Sequence, residues 1–506
     1  MRSAIYRLAS LVLMLALING GTTGAVAQGN SATVIVSYFD DRAPEWKYLG
    51  GWKIGASTLA YKGGSHLSTK IGDSASILML GSSFSLMYTR GLNKGRISIY
   101  VDNVKLATVD QGYIQTVYKA VWNSPLLNAG RHVVRVVHAT GNLVDVDAIK
   151  VNRVASSYFV DAAAGSDGNP GSQAQPWRTI QRAANSLVSG DSVTVQPGDY
   201  PELVEVNRSG NSFIANGRVT MRGFYVLGSA NLVRGFVITN PESEYGIRVE
   251  GSNNVIQGND ISDTNQDGIW FFGNGNRITG NRIHDIVSPA NAVNDPHTDC
   301  FQTWGPAENI IIEKNVCNHT RTSGTNQIGQ ISSVKTPVRN LIFRNNVFIM
   351  HDSGFSPLNF NRHPGEYPIT NIFVVNNTFV HMGTGSSAIR FSNVTGAYAI
   401  NNLIVNFGYG DQPYVLTENG TTLIYINHNA VSKADQIRPK RGIRTGDLWL
   451  ASPKFVDARN LDFHLQALSA AINKGAGLTV KVTDDFDSTA RPQGSGYDIG
   501  AFEYKP

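Results

Sequence analysis

The densest set of residues that could carry out chemistry lies in the segment NDPHTDCFQTWG, residues 294–305. Histidine and carboxyl groups can exchange protons near neutral pH, and an indole ring can stack on the apolar face of a sugar. The segment therefore forms the centre of the candidate site. Its members are Asp295, His297, Asp299, Gln302 and Trp304.

Cations and a further imidazole occur later in the chain, in segments separated by apolar runs. Together with the cluster they could support β-elimination from a uronic acid polymer, which needs a base for the proton beside the carboxylate and a cation for the resulting anion. The candidate bases are Lys335, His297 and His363. The candidate stabilising groups are Arg390, Arg362 or a Ca²⁺ ion held by Asp295 and Asp299. No metal at all remains the alternative, because Ca²⁺ requires many oxygen ligands.

Glycoside hydrolysis is the second reaction that these residues could perform. One carboxyl would protonate the leaving oxygen while the other activates water or attacks the sugar. Asp299 and Asp267 suit this pairing, because they align at the same coil position in the phrases HTDCFQ and NQDGIW and should lie about one strand spacing apart. An aspartate at the start of a strand can instead accept hydrogen bonds from turn amides, so a purely structural role stays open.

A recurring asparagine phrase shows how such residues would be positioned. A short apolar run leads to an asparagine and a further apolar residue follows, as in NVIQGNDI and NRITGNRI. Variable insertions around a recurring unit are typical of a solenoid, and asparagine suits its bends because it tolerates a left-handed backbone. We expect these side chains to stack at one corner. The stacked residues would be Asn259, Asn281, Asn315, Asn346 and Asn377, with Asn402 extending the series.

These phrases resemble the repeats of right-handed parallel β-helices in the pectin-lyase-like superfamily. The resemblance covers residues 156–506 and includes a capping helix near Thr179 and a closing segment that ends in YDIGAFEY. It implies a secreted protein that acts on polysaccharide. The paired aspartates and Gly-His-Gly of polygalacturonases are missing from the coils, and so is the Arg-x-Pro-x-x-Arg of pectate lyases. The resemblance therefore leaves the reaction open.

Alignment of the coils predicts which side chains face outward. With Ile269, Phe301, Ile331, Phe355 and Ile389 taken as inward residues, the next position in each coil should face solvent. The predicted groove is the column Trp270, Gln302, Ser332, Ser356 and Arg390. Trp270, Gln302, Trp304 and Arg362 would then contact the sugar chain.

Residues 31–153 have a different pattern of short strand-like runs separated by turns, which predicts an antiparallel β-sandwich. EWKYLGGW (45–52) and VDVDAI (144–149) resemble segments of galactose-binding-like jelly rolls. That resemblance implies a carbohydrate-binding module, with Trp46 and Trp52 as part of a sugar-stacking surface. The same tryptophans could equally close one end of the sandwich. The predicted fold class is thus all-β, a jelly-roll sandwich followed by a parallel β-helix.

Residues 1–27 have the features of a secretory signal, with Arg2 and Arg7 before a short apolar core. We therefore expect export, no membrane partner once the signal is removed, and no nucleic-acid partner, since the net charge is only +5. Cys300 and Cys317 lie about one coil apart and could form a disulfide in an oxidising compartment.

Two functions follow for a protein expected to be a monomer. One is cleavage of a glycan, acidic or neutral, in a groove along the β-helix. The other is a non-catalytic surface or matrix protein that binds glycans through both domains. An enzyme should bring His297, Asp299 and a cation from another coil together, whereas a binder should present an aromatic strip instead.

Overall fold

The computed structural model describes residues 34–240, 245–286, 298–319, 326–351, 358–409, 412–432, 446–478 and 482–505. The predicted signal segment lies outside these residues. Contacts divide the chain into two compact units that meet in sequence between Val154 and Ala155. No helix in the described ranges is both long and apolar enough to cross a membrane.

The first unit is an antiparallel β-sandwich, as predicted. Apolar side chains on alternate strand positions, including Ile77, Leu86, Ile99 and Val136, form its buried core. One sheet has the strand order Val34–Asp40, Ala148–Val154, Ser83–Arg90, Val117–Asn123. The second has the order Trp46–Leu49, Ser74–Gly81, Gly130–Thr140, Arg96–Val101, Val104–Asp110. A small third sheet contains Val144–Val146, Gly64–Ser68 and Lys53–Ala56, and a 3₁₀ turn covers Tyr61–Gly63.

The second unit is the parallel β-helix that the resemblance implied. The helix Ile180–Ser186 caps the N-terminal end of the solenoid, and its residues Ile180, Ala183 and Ala184 are buried. Thr179 caps this helix by accepting the Arg182 backbone N–H at 3.1 Å. A short antiparallel pair, Phe455–Asp457 and Asp462–Leu465, belongs to the closing segment, with the 3₁₀ turn Ala458–Asn460 between its strands.

One parallel sheet forms the side of the solenoid remote from the candidate site. Its strands are Ser157–Val160, Ser192–Val195, Ser212–Ala215, Leu232–Arg234, Val255–Gln257, Arg277–Thr279, Ile311–Glu313, Val338–Arg344, Ile369–Val375, Val394–Ile400 and Thr422–Asn427, with Gly273–Asn274 and Ala307–Glu308 beside this path.

The other long sheet contains two series of strands that alternate along the chain. The series that carries the candidate site, here called the groove strands, comprises Gly198–Val206, Val219–Val226, Tyr245–Val249, Asp267–Phe271, Thr298–Thr303, Asn326–Ile331, Leu358–Asn361, Ile389–Ser392 and Val415–Glu418. The intervening series comprises Val237–Thr239, Asp260–Ser262, Arg282–His284, Val316–His319, Val347–Met350, Thr378–Gly385, Leu403–Phe407, Ala430–Ser432 and Leu448–Trp449.

The asparagine stack is confirmed. Each backbone N–H donates to the side-chain oxygen of the next asparagine along the chain, as from Asn259 to Asn281 at 3.0 Å and from Asn281 to Asn315 at 2.9 Å. The side-chain amide donates to the same oxygen, at 3.0 Å in both steps. The asparagine ladder consists of Asn259, Asn281, Asn315, Asn346, Asn377, Asn402 and Asn429. It fixes the register of successive coils through bonds that involve no net charge.

Candidate functional site

Asp267 is the first residue of one groove strand, Asp299 is the second residue of the next, and the two lie side by side. The Asp299 backbone N–H donates to Asp267 Oδ1 at 2.8 Å, and the Trp270 indole N–H donates to the other oxygen of Asp267. The two residues are buried, with exposed fractions of 1% for Asp267 and 0% for Asp299. The structure thus brings together the carboxyl pair that the sequence suggested for hydrolysis, and it also shows the bond to a backbone amide that a structural role requires.

The two carboxyls have different environments. Burial, and next the nearby charge of Asp267, raise the pKa of Asp299 well above its ordinary value, while a hydrogen bond from Gln302 opposes this change. Gln302 Nε2 lies 3.5 Å from Asp299 Oδ2, and Asp299 Oδ1 has no hydrogen-bond partner among the described residues. Asp299 is therefore the member that is harder to ionise. Asp267, which accepts two N–H groups, is the member suited to carry the negative charge.

The predicted outward column is partly wrong in register. Phe301 pairs with Gly329 and not with Ile331, so Gln330 occupies the position assigned to Ser332. Gln330 pairs in turn with Asn359, and Ser356 lies outside the described residues. The observed outward column consists of Tyr225, Arg248, Trp270, Gln302, Gln330, Asn359 and Arg390.

An aromatic group surrounds Arg248 at the N-terminal end of this column. The guanidinium carbon lies 5.0 Å from the ring centre of Tyr225, 5.3 Å from that of Trp270 and 5.6 Å from that of Phe272. Trp270 itself is only 5% exposed, because Tyr245 and Trp304 also pack against it. Sequence alignment missed Arg248, although the shared phrase Gly-Ile in GIRV and GIWF places it one coil before Trp270.

The predicted cations each contact another group in the structure. Arg390 is held by Glu418, with Nε and Nη2 at 2.8 and 2.7 Å from Oε2. Arg362 donates to the backbone carbonyl of Glu366 at 3.0 Å. Exposed Lys335 has its ammonium 5.0 Å from the ring centre of Trp304.

His363 is also occupied locally, since its backbone N–H donates to Glu366 Oε2 at 2.9 Å and its ring lies 3.1 Å from the Asn361 amide. Asp295 and His297 lie outside the described residues, so their predicted roles stay predictions. Asp299, the other predicted Ca²⁺ ligand, is fully buried, and the Ca²⁺ site stays a prediction together with Asp295.

Cys300 and Cys317 form a disulfide, with their Cα atoms 6.1 Å apart. It connects the strand that contains Asp299 to the strand that follows Asn315. His319 Nε2 lies 3.7 Å from Cys300 Sγ and 2.9 Å from the Gln327 carbonyl. Among the described residues, this is where cysteine and histidine groups cluster closely enough to hold a metal, but the disulfide occupies both sulfurs.

A charged cluster that the sequence analysis did not identify lies on the intervening strands. His284 Nε2 is 2.8 Å from Asp260 Oδ1, and His284 Nδ1 is 2.7 Å from Asp285 Oδ2. The hydrogen bond with Asp260 raises the pKa of His284, and the bond with His284 lowers the pKa of Asp260. The signal was present in the phrases NDIS and NRIHD, which put Asp260 and Arg282 at equivalent positions of two coils.

The sandwich tryptophans do not form an open stacking surface. Trp46 is 6% exposed and belongs to the core, and Trp52 packs partly buried against it. Tyr48 lies between them and stacks on His66 with ring centres 3.9 Å apart. The prediction of Trp46 as a sugar contact is therefore wrong, because the ring that would stack on a sugar packs against other side chains of the sandwich.

Comparison with known proteins gives distant similarities. The family model described as periplasmic copper-binding protein (NosD) matches residues 179–294, less than half of the chain. No curated protein matches this sequence significantly. The catalytic unit of the thermostable GH87 α-1,3-glucanase from Streptomyces thermodiastaticus strain HF3-3 is 13% identical, with 83% of this chain and 97% of that chain covered and a TM-score of 0.34.

Pectate lyase Pel9A is 15% identical, with 69% of this chain and 96% of that chain covered and a TM-score of 0.41. The CBM36-1 domain of a multidomain xylanase from the hindgut metagenome of Trinervitermes trinervoides is 16% identical, covers 23% of this chain and 95% of its own, and has a TM-score of 0.19. At these identities and scores, the comparisons assign no reaction to this chain.

Proposed function

We propose that this chain is an exported, carbohydrate-active protein that hydrolyses a polysaccharide laid along the groove strands. The observation that carries the proposal is the contact between two buried carboxyl residues, Asp267 and Asp299, with unlike hydrogen-bond partners. Asp267 accepts two N–H groups, and Asp299 Oδ1 has no partner among the described residues, so the two carboxyls could take the unlike roles that glycoside hydrolysis requires. The outward column supplies aromatic and amide groups next to this pair, which suit the two kinds of surface on a sugar ring.

In the proposed reaction, Asp299 gives the proton on Oδ1 to the glycosidic oxygen as the bond to the anomeric carbon breaks. The Asp267 carboxylate forms a bond to that carbon, and a water molecule, deprotonated by Asp299, then displaces it. Adjacent strands are about 4.8 Å apart, nearer the ~5–5.5 Å carboxyl spacing of retaining enzymes than the wider spacing of inverting ones. We therefore expect the product to retain its anomeric configuration.

Complete burial of both carboxyls supports a second candidate, glycan binding without cleavage. In that case Asp267 only fixes the next coil through the Asp299 backbone N–H, and the outward column supplies the binding surface. The copper binding in the name of the matched family is not proposed for this chain, because residues 179–294 contain one histidine, one methionine and no cysteine.

The test is a screen of the purified protein against neutral and acidic polysaccharides, followed by Asp299→Asn and Asp267→Asn. New reducing ends, lowered about 100-fold or more by either substitution, support hydrolysis. Glu308→Gln, at a half-buried carboxyl on the remote sheet, serves as a matched control and should keep full activity. Activity that survives both aspartate substitutions would place the chemistry elsewhere. Binding without new reducing ends would establish the second candidate.

A further inference from the structure

The side chains of the outward column change from aromatic to amide at Gln302. The N-terminal part is aromatic, with Tyr225 and Trp270 on either side of Arg248. The three coils that follow present neutral amides at the same position, Gln302, Gln330 and Asn359. Because successive coils are about 4.8 Å apart, these amides form a hydrogen-bonding strip beside the carboxyl pair.

One oxygen of this strip lacks a donor. Asn359 Nδ2 donates to Gln330 Oε1 at 2.7 Å, which fixes the orientation of the Asn359 amide. Its Oδ1 is buried without a hydrogen-bond partner among the described residues, and the residue is only 6% exposed. A buried acceptor that lacks a donor is unfavourable, so a ligand that brings an O–H group would satisfy it, whereas a carboxylate would bring a second acceptor.

The arginines of the column are already neutralised. Arg390 makes its two contacts with Glu418, and Arg248 pairs with Glu250 while aromatic rings surround it. Recognition of a carboxylate by arginine depends on a guanidinium edge that is free to make two parallel hydrogen bonds. Both guanidinium groups therefore present paired charges to a ligand in the groove.

We infer that the groove takes a neutral glycan rather than a uronic acid polymer, a specificity that rests on the proposed function of the same site. A sugar hydroxyl donates to Asn359 Oδ1, and the ring stacks against the aromatic end of the column. The choice of substrate also selects the reaction, because β-elimination requires the acidic proton beside a uronic carboxylate. A neutral chain lacks that proton and can be cut at this site only by hydrolysis.

The experiment measures binding by calorimetry, with the full chain carrying Asp299→Asn to prevent turnover. Neutral oligosaccharides (glucans, xylans and mannans) are compared with oligogalacturonates of equal length. We expect binding of a neutral ligand and at least tenfold weaker binding of the uronates. Adding Asn359→Ala should weaken the neutral ligand about tenfold, and Asn340→Gly, in the exposed asparagine row of the remote sheet, should not.

Glu418→Gln is the second variant, and we expect it to increase the affinity for uronates. Releasing Arg390 should raise uronate affinity about tenfold and so narrow the preference for neutral ligands. If Asn359→Ala lowers the melting temperature, Asn359→Ser replaces it, with the same expected direction.

Three results would overturn the inference while leaving a carbohydrate function in place: tighter binding of uronates, an unsaturated product from the wild type, or no effect of Glu418→Gln and Asn359→Ala. Absence of binding by every glycan would instead remove the proposed function together with this specificity.

Discussion

The asparagine ladder and the carboxyl pair solve the same structural problem with different groups. In both, a side-chain oxygen accepts the backbone N–H of a neighbouring coil, as Asn281 does for Asn259 and Asp267 does for Asp299. The asparagine side chain also donates to its neighbour, so the ladder satisfies itself without charge. A carboxylate has no donor, and two adjacent carboxyls cannot both ionise cheaply. Replacing amide by acid at a coil contact thus creates a group that can release a proton.

The largest expected effect comes from breaking the ladder at an interior member, Asn315. Asn315→Ala removes the oxygen that accepts both the backbone and side-chain N–H groups of Asn281, and it frees the Ile278 carbonyl. Several buried polar groups then lack partners, so we expect a loss of roughly 3–5 kcal/mol in the free energy of unfolding. Urea unfolding followed by circular dichroism measures it. An effect below about 1 kcal/mol would show that the ladder adds little stability.

The next effect tests the connection between the two regions. Cys300→Ser with Cys317→Ser removes the disulfide that joins the strand of the pair to the strand after the ladder. The bridged residues are 17 apart in sequence, for which chain entropy gives a loss of about 3 kcal/mol. In chemical unfolding, a reductant should lower the free energy of unfolding of the wild type and leave that of the double variant unchanged. A wild type insensitive to reductant after full reduction would contradict this expectation.

Replacing Asp299 of the carboxyl pair by asparagine, the residue that forms the ladder, should increase the stability of the protein. The raised pKa of Asp299 makes the folded state bind a proton that the unfolded chain releases above about pH 3.8. Wild-type stability should therefore be complete below that pH and decline by about 1.4 kcal/mol for each pH unit until the pH reaches the folded-state pKa. Asp299→Asn should lack this decline and be more stable at pH 7, even though activity is lost. A thermal unfolding series from pH 4 to 8 compares the two proteins; parallel curves would show that Asp299 is ionised in the folded state.

The smallest effect concerns the charged cluster on the intervening strands, in which His284 lies between Asp260 and Asp285. Its pKa is raised, so its contribution is complete below the unfolded value of about 6.5 and disappears as the pH rises through the folded value. The lowered pKa of Asp260 adds a contribution that is lost as the pH falls below 3.8. His284→Gln should lower the free energy of unfolding by at most about 1 kcal/mol, mainly between pH 3.8 and about pH 6.5. A cost that persists unchanged at pH 9 would indicate packing rather than charge.

The sequence predicted the ladder because each asparagine occurs in the same apolar phrase, and a repeated phrase fixes both the strand and its neighbour. It predicted the groove less well. Gly329 takes an inward position opposite Phe301, so an alignment based on apolar residues chose Ile331 instead. The partners of Arg390 and Trp46 could not be predicted, because Glu418 and the sandwich core reach them through long-range contacts that no local pattern encodes.

The ladder also has a direction and an end. Each backbone N–H in the ladder donates to the asparagine of the next coil, whereas each side-chain amide also donates to a backbone carbonyl of a preceding coil, as from Asn315 to Ile278 at 3.0 Å. The last member, Asn429, donates to Asp447 through its backbone N–H at 2.9 Å and its side-chain amide at 3.3 Å. The side chain of Asp447 thus accepts the bonds at the end of the ladder that an asparagine accepts in every earlier coil. A coil could be duplicated or deleted within the series without altering the bonding at either end, which would let such a protein lengthen or shorten its groove during evolution.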